Sequence, residues 1–187
     1  MLFRNTRVII PYLKSSINNN PPEFWFAAYV RSCQERKTAD FLSRMGIEYY
    51  LPLQKETRKW SDRVKTVEKL VLPGLIFIRT TRTRRVEILS ETTLICRYMT
   101  QGGSYNPVII PDNQIEDFIF VLENGQDKVT VSKEIFSAGD AVEIISGSLK
   151  GLKAQFVDIS GQQYAAVRID NLCSAIIKIS LNEIRKI

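Results

Sequence analysis

The chain of 187 residues contains no histidine. That absence excludes Ser-His-Asp and Cys-His catalysis and leaves zinc only poor ligand sets. Cysteine is scarce as well: Cys33, Cys96 and Cys173 are odd in number, far apart and form no CxxC pair. Free thiols in a reducing cytosol fit this spacing better than a disulfide framework does. No GxxxxGK[ST] or GxGxxG run is present to cradle a phosphate. No apolar run approaches the ~20 residues needed to span a bilayer. The N-terminal patch beside Arg4 and Arg7 is broken by Pro11 and lacks a small-residue cleavage site, so no secretory signal is predicted. The expectation is a cytoplasmic, non-enzymatic protein with no cofactor, no metal and no membrane partner.

What is present supports a folded core. Apolar residues make up 44% of the chain and charged ones 25%, which is ordinary for a globular protein of one or two domains. The net charge of +6 is unevenly placed: Arg31 to Arg97 holds 15 basic and 8 acidic residues, whereas Asp112 to Glu123 holds four acidic residues and no basic one. A basic segment beside an acidic helix fits a face turned toward a polyanion; on charge alone, an unevenly solvated surface fits equally well.

The stretch that organises the rest is Leu70-Val-Leu-Pro-Gly-Leu-Ile-Phe-Ile78. Four large apolar residues in a row, Leu75 to Ile78, are too few for a helix and rich in strand-forming types. They predict a central strand covered on both faces. Pro73 cannot donate a ladder hydrogen bond and Gly74 leaves the backbone approachable, so the sheet is interrupted where this strand begins.

Around this strand, residues 1–23 end in Asn18-Asn-Asn-Pro-Pro22 and read as a flexible leader. Phe24 to Val30 predicts a buried strand. Ser32-Cys-Gln-Glu35 has the form of a capping box opening a helix that Gly46 closes. Ile47 to Leu53 predicts a strand, and Gln54 to Lys69 a long charged hairpin with Trp60 near its tip. A short basic helix is expected from Thr81 to Ser90, with Arg82, Arg84 and Arg85 in its first turn. Asp112 caps a helix whose Ile115, Phe118, Ile119 and Leu122 form an apolar stripe. These elements make an α+β domain over residues 24–124. A polar linker follows at 125–134, and residues 135–187 are short β-rich runs of the size of a small closed β-barrel.

Taken in order, Trp25-Phe-Ala-Ala-Tyr-Val-Arg31, Glu35, Lys37, Tyr50-Leu-Pro-Leu53, Trp60-Ser-Asp-Arg63, Leu72-Pro-Gly-Leu-Ile-Phe-Ile78, Phe136-Ser-Ala-Gly-Asp-Ala-Val142 and Gly147-Ser-Leu-Lys-Gly151 carry a resemblance. The chain resembles the NusG family of bacterial transcription elongation factors, in which an NGN domain (an antiparallel sheet flanked by helices) precedes a KOW β-barrel. It looks most like the specialised UpxY-type antiterminators of capsular polysaccharide operons. Leu75 stands where the family often has an aromatic, Ala154 where a third KOW glycine is frequent, and Ser148 where proline is.

The resemblance implies a docking pocket for the clamp helices of RNA polymerase at Leu72, Pro73, Gly74 and Leu75. Trp25 and Tyr29 are read either as contributors to that pocket or as plain core. Leu72 and Leu75 are expected to be partly exposed anchors. Thr80, Thr81, Arg82, Arg84 and Arg85 fall where relatives touch the far side of the cleft or the non-template DNA strand, with a solvated helix turn as the plainer reading. Gly147, Lys150 and Gly151 make the KOW turn, and the KOW domain implies a ribosomal protein or the Rho helicase as a second partner. An RNA- or ribosome-binding KOW protein that does not act on polymerase is the alternative.

Overall fold

The computed structural model describes residues 7–8, 21–59, 64–102, 104–125, 129–132 and 139–187. Contacts divide the chain into two compact units, Met1–Pro52 with Leu72–Asp112, and Leu53–Val71 with Asn113–Ile187.

The first unit is a five-stranded antiparallel sheet in the order β1 (Arg7–Val8), β3 (Glu48–Tyr50), β6 (Leu75–Thr81), β2 (Glu23–Val30), β7 (Ile95–Tyr98). The central position of β6 is what its apolar run predicts, and Leu75, Ile76, Phe77 and Ile78 are all buried. Register pairs Tyr29 with Leu75, Ala27 with Phe77 and Trp25 with Arg79 on one face, and Phe26 with Ile78 on the other. Helices α1 (Glu35–Arg44) and α2 (Arg84–Glu91) complete this unit, burying Thr38, Ala39 and Leu42 from α1 and Ile88 from α2.

The capping box expected at Ser32 does not form. Cys33 takes a left-handed backbone (φ 59°), and the helix starts at Glu35 behind Gln34, which makes no side-chain cap. Glu35 is therefore the first helical residue, too early to reach back to a cap, and its buried carboxylate bonds elsewhere. Helix α2 also begins later than predicted. Thr81 Oγ1 accepts the Arg84 backbone N–H at 3.1 Å, which leaves Arg82 in the turn before the helix.

The second unit contains the predicted hairpin, β4 (Leu53–Lys59) with β5 (Val64–Leu70), whose tip at Trp60–Arg63 lies outside the described residues. It also contains most of α3 (Asp112–Asn124), with Ile115, Phe118, Ile119 and Leu122 buried as the stripe requires. A six-stranded antiparallel sheet completes it, in the order β13 (Ile184–Lys186), β9 (Ala141–Ile144), β10 (Lys153–Ile159), β11 (Gln162–Ile169), β12 (Cys173–Lys178), β8 (Val129–Ser132). The sequence predicts a closed barrel here; among the described residues the ladder leaves β8 and β13 as edges, with no pairing that closes it. Gly139 is demanded by packing, since a Cβ there would fall 1.7 Å from the Phe156 carbonyl oxygen.

Candidate functional site

The Leu72-Pro-Gly-Leu75 segment is a tight turn. Leu75 N–H donates to the Leu72 carbonyl at 3.3 Å, with Pro73 and Gly74 at the two central positions and Gly74 at φ +79°. Proline presets the first central torsion and only glycine takes the second cheaply. Two longer bonds tie the turn to the fold. The Val30 N–H donates to the Gly74 carbonyl at 2.9 Å, and the Gly74 N–H donates to the Glu35 carboxylate at 2.8 Å, across 39 positions of sequence.

The result corrects one expectation. Leu72 and Leu75 are each only 5% exposed, so both are buried rather than partly exposed anchors. The turn closes so tightly that its flanking leucines point inward, and the exposed apolar group is the Pro73 ring. Of the two aromatics, Trp25 is core at 2% exposure, while Tyr29 is half-buried beside Leu75. On its other side Tyr29 pairs with Arg97 of β7, whose guanidinium lies 4.5 Å above the Tyr29 ring centre.

The arginines of the α2 turn divide into two kinds. Arg84 is held by its own helix, donating to Glu87 at 2.8 Å and to Glu91 at 2.6 Å, and the Glu91 and Glu87 hydrogen bonds raise its pKa. Arg82 lies exposed over Phe24 at 5.2 Å. Arg85 sits over Phe26 at 5.5 Å and Tyr98 at 5.8 Å. Burial pushes the Tyr98 phenol well above its ordinary range, with the Arg85 charge opposing the shift. Two guanidiniums thus lie over aromatic rings, which the plainer reading of a solvated first turn does not contain. Thr80 is buried, and the Thr81 hydroxyl is occupied by the Arg84 backbone N–H.

In the second unit, Gly147 and Gly151 both take left-handed backbone, and the Gly151 N–H donates to the Ile144 carbonyl at 2.7 Å. Lys150 stands exposed on this turn. The described residues hold no cluster of His, Cys, Asp or Glu suited to a metal, and no described helix is long and apolar enough to cross a membrane.

Sequence reasoning missed the Glu35 bond and the Arg97–Tyr29 stack. Both join residues far apart in sequence, and neither leaves a local pattern by which it could have been found.

The model of the family described as transcription termination factor NusG matches residues 23–119, which carry β2, the turn, α2 and most of α3. The chain belongs to the NusG family. Members of this family are transcription factors. Among solved structures, one titled for domain interaction in Thermotoga maritima NusG is 18% identical, covering 89% of this chain and 98% of its own, with a TM-score of 0.44. A chain of an MjSpt4:Spt5 complex is 15% identical over 87% of this chain and 96% of its own, with a TM-score of 0.28. A comparison with curated proteins finds no match.

Proposed function

We propose that this NusG-family chain is a transcription elongation and antitermination factor that docks through the Leu72–Leu75 turn on the clamp helices of RNA polymerase. The observation that supports this most is the double anchoring of that turn, by Glu35 and by Val30, with the Pro73 ring presented outward. A turn held rigid before binding loses little freedom on docking, and an apolar tip gains by desolvation. Arg82 and Arg85 would face the other wall of the cleft or the non-template strand, stacked and ready for phosphate or an unpaired base. Arg84, already neutralised within α2, contributes least there.

Binding both walls favours the closed clamp by the difference in affinity between closed and open states, which suppresses pausing. On this reading residues 24–124 form the NGN domain, and the C-terminal sheet curls into a KOW barrel that recruits a ribosomal protein or Rho. The resemblance at Trp60-Ser-Asp-Arg63 further suggests a specialised factor for a capsular or exopolysaccharide operon. In a reconstituted transcription assay, added protein should increase read-through of a terminator and shorten pauses. Unchanged pausing and read-through on templates drawn from across the genome would defeat the proposal. Transcript profiling after deletion would show whether one operon or many lose distal expression.

A further inference from the structure

Beside the Pro-Gly turn, Leu75, Tyr29 and Arg97 form one row across β6, β2 and β7 on a single face of the sheet. The row runs from a buried aliphatic through a half-buried aromatic to an exposed cation. Arg97, like Arg82 and Arg85, lies over an aromatic ring, whereas four other arginines face carboxylates. Arg79 faces Glu48 and Asp112, Arg84 faces Glu87 and Glu91, Arg168 faces Asp170, and Arg185 faces Glu143. No carboxylate lies within ion-pair distance of Arg97 among the described residues; its partner is the Tyr29 ring at 4.5 Å. A guanidinium held over a ring and exposed to solvent keeps N–H donors for a planar carboxylate.

We propose that Arg97, held over Tyr29, is the charged half of the docking strip whose apolar half is the Pro73 tip. The protein segment that docks there carries a carboxylate turned toward Arg97. This rests on the reading of the turn as the polymerase-docking site. A protein carboxylate is favoured over nucleic-acid phosphate because Arg97 lies in one row with an aliphatic and an aromatic residue, whereas a backbone-tracking groove needs successive charges. Its preorganised geometry also means that lysine, a point charge without the planar fork, is a poor replacement.

The test measures binding of full-length chain to nuclease-treated RNA polymerase core over a salt series, for wild type, Arg97→Gln, Arg97→Lys, Arg97→Glu and Pro73→Asp. Melting curves accompany each variant, and Arg97→Gln guards against a folding defect in the reversal. Arg97→Gln should weaken binding about tenfold at low salt and Arg97→Glu more, with the difference from wild type shrinking as salt rises. Arg97→Lys should recover less than half of the loss, and Pro73→Asp should abolish binding. If Pro73→Asp abolishes binding and no Arg97 variant alters it, the carboxylate contact is wrong while the docking turn stands. Binding that survives Pro73→Asp removes the docking turn and this inference with it. An Arg97 effect seen only when nucleic acid is restored assigns the residue to phosphate and overturns the proposal.

Discussion

Replacing Glu35 by alanine probes the feature that holds the Leu72–Leu75 turn in place. A hydrogen bond from a backbone N–H to a charged acceptor is worth ~1.5–3 kcal/mol, and a buried donor left unmade costs a similar amount. Removing the carboxylate also removes its own burial cost, so the net destabilisation should be roughly 1–2 kcal/mol. For a unit of about 100 residues this corresponds to a fall of roughly 5–10 °C in melting temperature. Glu35→Gln keeps an oxygen acceptor within reach of Gly74 and should lose about half as much. Thermal denaturation followed by circular dichroism gives the stability, and hydrogen exchange at the Gly74 amide locates it. That amide should exchange at least tenfold faster in Glu35→Ala, while amides in the middle of β2 slow or quicken only with global stability. Ser32→Ala is the control, because Ser32 makes no helix cap and its loss should stay within ~0.5 kcal/mol. The reasoning is refuted if Ser32→Ala costs as much as Glu35→Ala, or if Gly74 exchange is unchanged.

Other perturbations follow from the same geometry. Leu72→Asp should unfold the first unit nearly as badly as Ile76→Asp, since both positions are buried, and denaturant titration of the pair checks this. Gly139→Ala should destabilise the chain by ~1–3 kcal/mol in denaturant melts, because its Cβ has no space beside Phe156. Arg85→Ala should cost ~1 kcal/mol through lost stacking on Phe26 and Tyr98, and Arg84→Ala about half of that, by thermal melts of the two variants. The Cys173 thiol is pushed by burial up to about 12 from 9.0, so it holds its proton more tightly folded than unfolded. Its contribution to stability is complete below pH 9 and is lost as pH rises from 9 toward 12. Under native conditions at pH 8 an alkylating reagent should modify Cys33 and Cys96, both exposed, and spare Cys173, as peptide mass mapping would show.

Elements whose signal is repeated along the chain were legible. The run Leu75 to Ile78 could only be a strand covered on both faces, and the Ile115-Phe118-Ile119-Leu122 stripe could only be one face of a helix. The charged arm from Gln54 to Lys69 was legible as a hairpin, and β4 and β5 pair along it. Features set by distant partners were not legible. Glu35 looked like a capping residue because the local pattern fits, and the fold sent its carboxylate to Gly74 instead. The arginines read locally as a cleft or nucleic-acid contact, or more plainly as a solvated turn, and the rings of Phe24, Phe26 and Tyr98 come beneath two of them only through strand register. Leu72 looked like a surface anchor because it adjoins Pro-Gly, yet the tightness of the turn carries it inward.

The most direct measurement of the central claim is site-specific photo-crosslinking from position 73. A photoreactive residue replacing Pro73, which is exposed at the tip of the turn, is incubated with a transcription elongation complex and illuminated. The crosslinked peptide is then identified by mass spectrometry, with a second probe at exposed Tyr105 as the comparison. The account predicts that the position 73 probe crosslinks to the clamp helices of the polymerase and that the Tyr105 probe does not give the same product. Crosslinks from position 73 to nucleic acid alone, to another polymerase surface, or to no component of the complex would contradict it.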